Sequence, residues 1–171
     1  MNNKGFSNGL IAGLITIILL LVIYFIHPES LVKYGAYLGY VIFLIFMYKS
    51  GKEARDEAGG LISFGTVLGP IFLTFVLGSL IVTLFNYILY NFIDASLSDI
   101  MMEIAMEQIE KMSGFIGEEG VEAAMEEIEN SGFQLTIGKS MLNWAFALII
   151  PGIIFALIEA AILKKEDKNA I

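Results

Sequence analysis

The chain has no cysteine, one histidine, one tryptophan and three prolines in 171 residues. The first absence removes disulfides, thiolate nucleophiles, cysteine metal sites and thiol redox chemistry. The second removes most of what a hydrolase or a zinc site is built from. His27 stands beside Pro28 with only Glu29 close to it, so neither a Ser-His-Asp arrangement nor a histidine metal site assembles around it. Charge is scarce at 16% of residues, and it is missing altogether from the 36 residues between Ala58 and Ile93. That last absence decides the class, because a bilayer core asks for about 20 apolar residues per helix and no soluble domain needs such a stretch.

What is present agrees. Apolar residues make up 57% of the chain and the mean hydropathy is +0.75. The pattern predicts an all-α protein: a four-helix transmembrane bundle in one domain over 1–171, with spans at about 9–27, 31–48, 62–93 and 141–163. The run Leu10 to Ile26 reads as a retained helix, since His27, Pro28, Glu29 and Ser30 after it offer no small-x-small cleavage site. Pro28 ends that span at His27. The second span leads into the polar cluster Lys49 to Glu57. The third is about 50 Å long as continuous helix against a core of about 30 Å. Pro70 is therefore expected to kink it or to begin the span proper, with Leu61 to Leu68 as a lead-in helix. Pro151 and Gly152 are expected to bend the fourth.

The net charge of −8 is unevenly placed, because Asp94 to Lys139 holds eleven of the eighteen acids and two of the ten bases. Two amphipathic helices are legible in the insert 94–140. Leu97, Ile100, Met101, Ile104, Ala105 and Met112 share one face of the first; Val121, Ala124, Met125 and Ile128 share one face of the second. Gly114, Gly117 and Gly120 lie between them and read as a flexible turn; Glu118 and Glu119 beside them would repel a phosphate. The basic clusters at Lys49 to Arg55 and Lys164 to Lys168, with Lys4, fall on one side of a four-span topology. Both termini are then expected inside and the acidic hairpin outside.

Candidate functional residues are few. Glu159 is the one ionisable residue well inside an apolar span, a place that by default points to proton or cation coupling. It also lies about a turn from Lys164, so it is expected to snorkel or to pair with Lys164 or Lys165. Asn86, Asn91 and Asn143 complete a conceivable polar path. Asp99, Glu103, Glu107 and Glu110, with Glu119, Glu122, Glu126 and Glu129, form an acidic face for a basic partner or divalent cations. No EF-hand spacing accompanies it, and a solvated surface is the plainer reading. Small residues recur four apart at Gly5, Gly9 and Gly13, at Gly35 and Gly39, at Gly65 and Gly69, and at Gly152, Ala156 and Ala160, a signal for close helix packing.

The opening GLIAGLITIILL, the segment RDEAGGLISFG, the span ending LFNYILYNFID, the acidic Met-rich insert and the closing IPGIIFALIEAAILKKE together resemble a bacterial family of small integral membrane proteins, the domain of unknown function 4199. The resemblance covers nearly the whole chain. It implies the four-span architecture and a place in the bacterial cytoplasmic membrane, and it supplies no catalytic residue. The expected role is non-enzymatic: a structural or interaction protein without cofactor, metal or nucleic acid. Its partners are the bilayer and a protein or second copy met through the hairpin or the small-residue faces. The alternative is a small transporter or channel subunit using Glu159 and the asparagines.

Overall fold

A single residue separates the first two helices. α1 runs over Asn2–Ile26 and α2 over Pro28–Glu57, and His27 between them is extended at φ −158° and ψ 92°. Proline suits the first helical position because the N–H it lacks has no partner there. The computed structural model describes residues 2–131 and 135–165, with side chains described for 4–128 and 135–165. Lys168 and the side chain of Glu129 lie outside these.

α2 is longer at both ends than the expected 31–48. Lys, Glu, Ala and Arg are strong helix formers, so the polar cluster Lys49 to Glu57 continues the helix. That extension is tied back to α1: Asn8 Nδ2 donates to Glu53 Oε2 at 3.0 Å, and Lys4 Nζ lies 3.5 Å from Glu57 Oε1. Gly59 and Gly60 then take φ of +74° and +89°, the left-handed turn that glycine allows without a Cβ penalty.

α3 spans Phe64–Ile88 and continues as a π-helical turn over Leu89–Ile93. The separate lead-in helix before Pro70 is not formed. Ser63 caps the start, accepting from Thr66 N–H, and the helix passes through Pro70 without interruption. The Pro70 carbonyl is doubly engaged, by Ser50 Oγ at 3.2 Å and Thr74 Oγ1 at 2.9 Å, which anchors this turn to α2. The surplus length of the uncharged stretch is absorbed by the irregular Leu61–Ser63 and by the π turn.

α4 (Ser96–Lys111) and α5 (Ser113–Ser131) form the insert. Of the three glycines expected to separate them, only Gly117, at φ +74°, departs from helical geometry. α6 (Ile137–Ala147) and α7 (Ile153–Leu163) make the fourth span, joined by a π-helical turn over Leu148–Gly152 that contains Pro151. The predicted bend is therefore a local widening of the helix.

Four helices are long and apolar enough to cross a bilayer: Lys4–Ile26, Pro28–Glu57, Phe64–Ile93 and Ile137–Leu163. Their outward faces carry Ile18, Phe25, Ile45, Phe92 and Ile150, each at least 60% exposed, as a lipid-facing surface requires. The chain is an all-helical multi-pass membrane protein. Lys4, Lys49, Lys52, Arg55, Lys164 and Lys165 gather at one end, the basic end; the insert covers the other, the hairpin end.

In lipid no hydrophobic effect draws helices together, so packing rests on close backbone approach. Along α1, a Cβ on Gly5, Gly9 or Gly13 would stand 2.6, 2.9 or 3.1 Å from the carbonyl oxygens of Pro70, Thr74 and Gly78 on α3. This small-residue stripe works within the chain. Gly65 and Gly69 differ from expectation, since nothing in the described residues lies within 4 Å of a Cβ there. Two apolar clusters result. One, at the basic end, centres on Met47, Ile71, Phe75 and Leu163; the other, at the hairpin end, gathers Leu20, Leu31, Leu89, Tyr90 and Leu97.

Candidate functional site

The hairpin end is built from Asp94 upward. Its Oδ1 accepts the Ser96 N–H and hydroxyl, a turn that launches α4, and its Oδ2 accepts the Tyr24 hydroxyl of α1 at 3.0 Å. The Ser96 hydroxyl foremost, with Tyr24, holds the Asp94 carboxyl below the usual carboxylate range. α4 then lays Leu97, Ile100 and Met101 on the end of the bundle. Asp99, Glu103, Glu107 and Glu110 are left exposed, as are Glu122 and Glu126 on α5. Lys111 Nζ donates to Glu107 Oε1 at 2.7 Å and holds that carboxyl low as well, so the acidic face is partly neutralised at its far end. No group of three or more histidine or acidic side chains suited to a metal ion exists among the described residues.

Below α4 the bundle opens. α7 packs on both α2 and α3, whereas α6 packs on α3 and, among the described residues, reaches neither α1 nor α2. The π turn at Leu148–Gly152 is where the fourth span leaves the second. Gly152 fixes the inner side of that divergence, because a Cβ there would stand 2.7 Å from the Phe75 ring. The gap is a cleft of about 270 Å³ between α2 and α6 with α3 as its floor. It runs from Phe43 and Phe75 up to Met101 of α4 and adjoins a second space of about 220 Å³ lined by Asn143 and Ser140.

Asn86 and Asn143, singled out in the sequence, meet in this second space. Asn91 does not join them; its Nδ2 donates to the carbonyls of Tyr87 and Leu135 at 2.8 and 2.9 Å, a structural clasp at the hairpin end. Glu159 lies sixteen residues from Asn143 along the fourth span, on the far side of the π turn. Only 7% of it is exposed, and among the described residues its Oε2 has no hydrogen-bond partner. The expected pairing with Lys164 or Lys165 is not formed. Lys164 leaves the helix at ψ 138°, and the Lys165 backbone is paired with Ile62 through bonds of 2.8 and 2.9 Å, which carries both lysines away. The polar path is thus two separate places.

The sequence profile described as "Protein of unknown function (DUF4199)" matches residues 7–165. The chain belongs to this family. No curated protein and no solved structure matches it. In this DUF4199 chain the cleft residues passed over in the sequence are Ser79, Thr83, Tyr40 and Trp144. A signal was there: Ser79, Thr83, Asn86 and Tyr90 recur at helical spacing on one face of the third span. Trp144 Nε1 donates to Ser79 Oγ at 3.0 Å, and that hydroxyl donates to the Phe75 carbonyl at 2.6 Å, so one wall of the cleft is fixed to its floor.

Proposed function

We propose that this DUF4199 protein is a non-enzymatic interaction protein of the bacterial cytoplasmic membrane, with both termini in the cytoplasm and the hairpin outside. The acidic hairpin is the contact surface for a protein partner bearing basic groups. The observation that carries the reading is the docking of α4: Leu97, Ile100 and Met101 seat it on the bundle, so Asp99, Glu103 and Glu110 are held outward as a fixed face. A fixed charged face loses less conformational entropy on binding than a free acidic tail. The basic end supports the orientation, since Lys and Arg favour the cytoplasmic side. Photoreactive residues at Glu103 and Glu126, irradiated in native membranes, test the reading by mass spectrometry of the adducts. A reproducible protein partner supports it; capture of lipid or of the protein itself alone removes it.

Buried Glu159 supports a second reading, a transporter or channel subunit in which that carboxyl takes up a proton or cation. Flux in proteoliposomes decides: an unchanged flux with Glu159→Gln ends this reading.

A further inference from the structure

The cleft between α2 and α6 has the chemistry of a ligand site. Small residues on two sides, Ala36 on α2 and Ala147 on α6, help to leave space there. Its lining is graded. Toward the middle of the bundle stand Phe43, Phe75 and Val82, and toward the hairpin end stand Thr83, Asn86 and Asn143. No hydrogen bond joins these last three side chains to another described residue. Asn143 is exposed and Thr83 and Asn86 are partly exposed, so the two amides and the hydroxyl are free to take donors and acceptors from outside the chain. No charged side chain lines the cleft. An ionic head group would meet no counter-charge there, and a hydroxylated one would meet amides. The volume, about 270 Å³, falls just under the roughly 300–1,000 Å³ of drug-sized pockets. It suits one chain better than two.

We propose that this cleft binds a lipid of the acylglycerol class, its single acyl chain lying between α2 and α6 against Phe43 and Phe75 and its uncharged hydroxyl head held by Thr83, Asn86 and Asn143. Access is lateral, from the leaflet on the hairpin side, because among the described residues the backbones of α6 and α2 do not come close to each other. Met101 closes the cleft from above.

Trp144, the chain's one tryptophan, lines the cleft and reports on it. The full chain is placed in phosphatidylcholine vesicles doped with a monoacylglycerol brominated in mid-chain, or with phosphatidylcholine brominated at the same carbons, and Trp144 fluorescence is followed. The expected result is saturable quenching by the monoacylglycerol, half complete at a severalfold lower mole fraction than with the phospholipid. Quenching that rises in proportion to mole fraction and is equal for the two lipids means bulk lipid contact and overturns the proposal. Saturable quenching equal for both overturns the preference for an uncharged head and the proposal with it. Ala36→Phe and Ala147→Phe, which fill the cleft from opposite walls, are expected to abolish the saturable part. Ile45→Phe on the lipid-facing surface leaves it. The comparison of lipids on the unaltered protein stands even if both filled variants unfold.

Discussion

Glu159 and the glycines of α1 show how much one side chain decides inside a bilayer. A buried polar group with no partner costs about 1–3 kcal/mol, so Glu159→Leu is expected to raise the unfolding temperature in detergent. Glu159→Gln, whose amide is equally unpartnered, should change it little. A fall in stability for the leucine variant would contradict an unpartnered carboxyl. The glycines give the opposite contrast. A Cβ on Gly9 would stand 2.9 Å from the Thr74 carbonyl and 3.0 Å from Leu77 Cβ, and overpacking of this kind costs about 1–3 kcal/mol. Gly9→Ala should therefore lower the unfolding temperature. Gly69, inside α3 with nothing within 4 Å, carries only the entropic cost of glycine in a helix, about 0.5–1 kcal/mol. Gly69→Ala should raise it. Spacing alone made the two glycines look alike, and only the neighbour each one meets separates them.

At the scale of elements, the spans were legible because a bilayer imposes length and apolarity together, and no other fold tolerates a run such as Ala58 to Ile93. Their ends were not. Helix propensity carries α2 through Lys49 to Glu57 after hydropathy has stopped, and α3 continues through Pro70, whose carbonyl accepts from Ser50 of α2 and Thr74 of its own helix, where a break was expected. The cleft was half legible. Asn86 and Asn143 stood out as amides in apolar spans, but their meeting depends on the π turn at Leu148–Gly152, for which Pro151 gave only the position. The hairpin's attachment was missed, because Tyr24 and Asp94 are 70 residues apart in the chain. It carries a pH dependence. The Asp94 carboxyl is held below its ordinary range, so its contribution is present above the unfolded-state value and is lost as pH falls through the folded one. Protease cleavage within α4 should therefore increase as pH is lowered through the carboxylate range. Asp94→Asn should be cleaved more readily at neutral pH and respond less to acid; Glu107, paired with Lys111, is present in both and does not alter the comparison.

At the scale of the whole molecule, the two ends of the bundle differ in kind, and the difference carries the proposed orientation. The basic end is held by close contacts: the glycine stripe against α3, the Ile62–Lys165 backbone pair and the Asn8–Glu53 bond. The hairpin end is open between α2 and α6 and covered by an acidic helix. Four spans place Lys4 and Lys165 on one side, and the preference of lysine and arginine in short loops for the cytoplasm is the ground on which that side is proposed as cytoplasmic. Lys33, Lys111 and Lys139 at the hairpin end are outweighed by the six bases that the described residues place opposite. The absence of cysteine makes the test clean, since each introduced thiol is the only one. Ser113→Cys, at the exposed tip of the hairpin, should react with a membrane-impermeant maleimide added to intact cells freed of their outer envelope. Lys52→Cys, exposed on the last turns of α2, should react only after the membrane is opened. The reverse pattern would turn the molecule over and place the acidic face in the cytoplasm, and the proposed partner would have to be sought there.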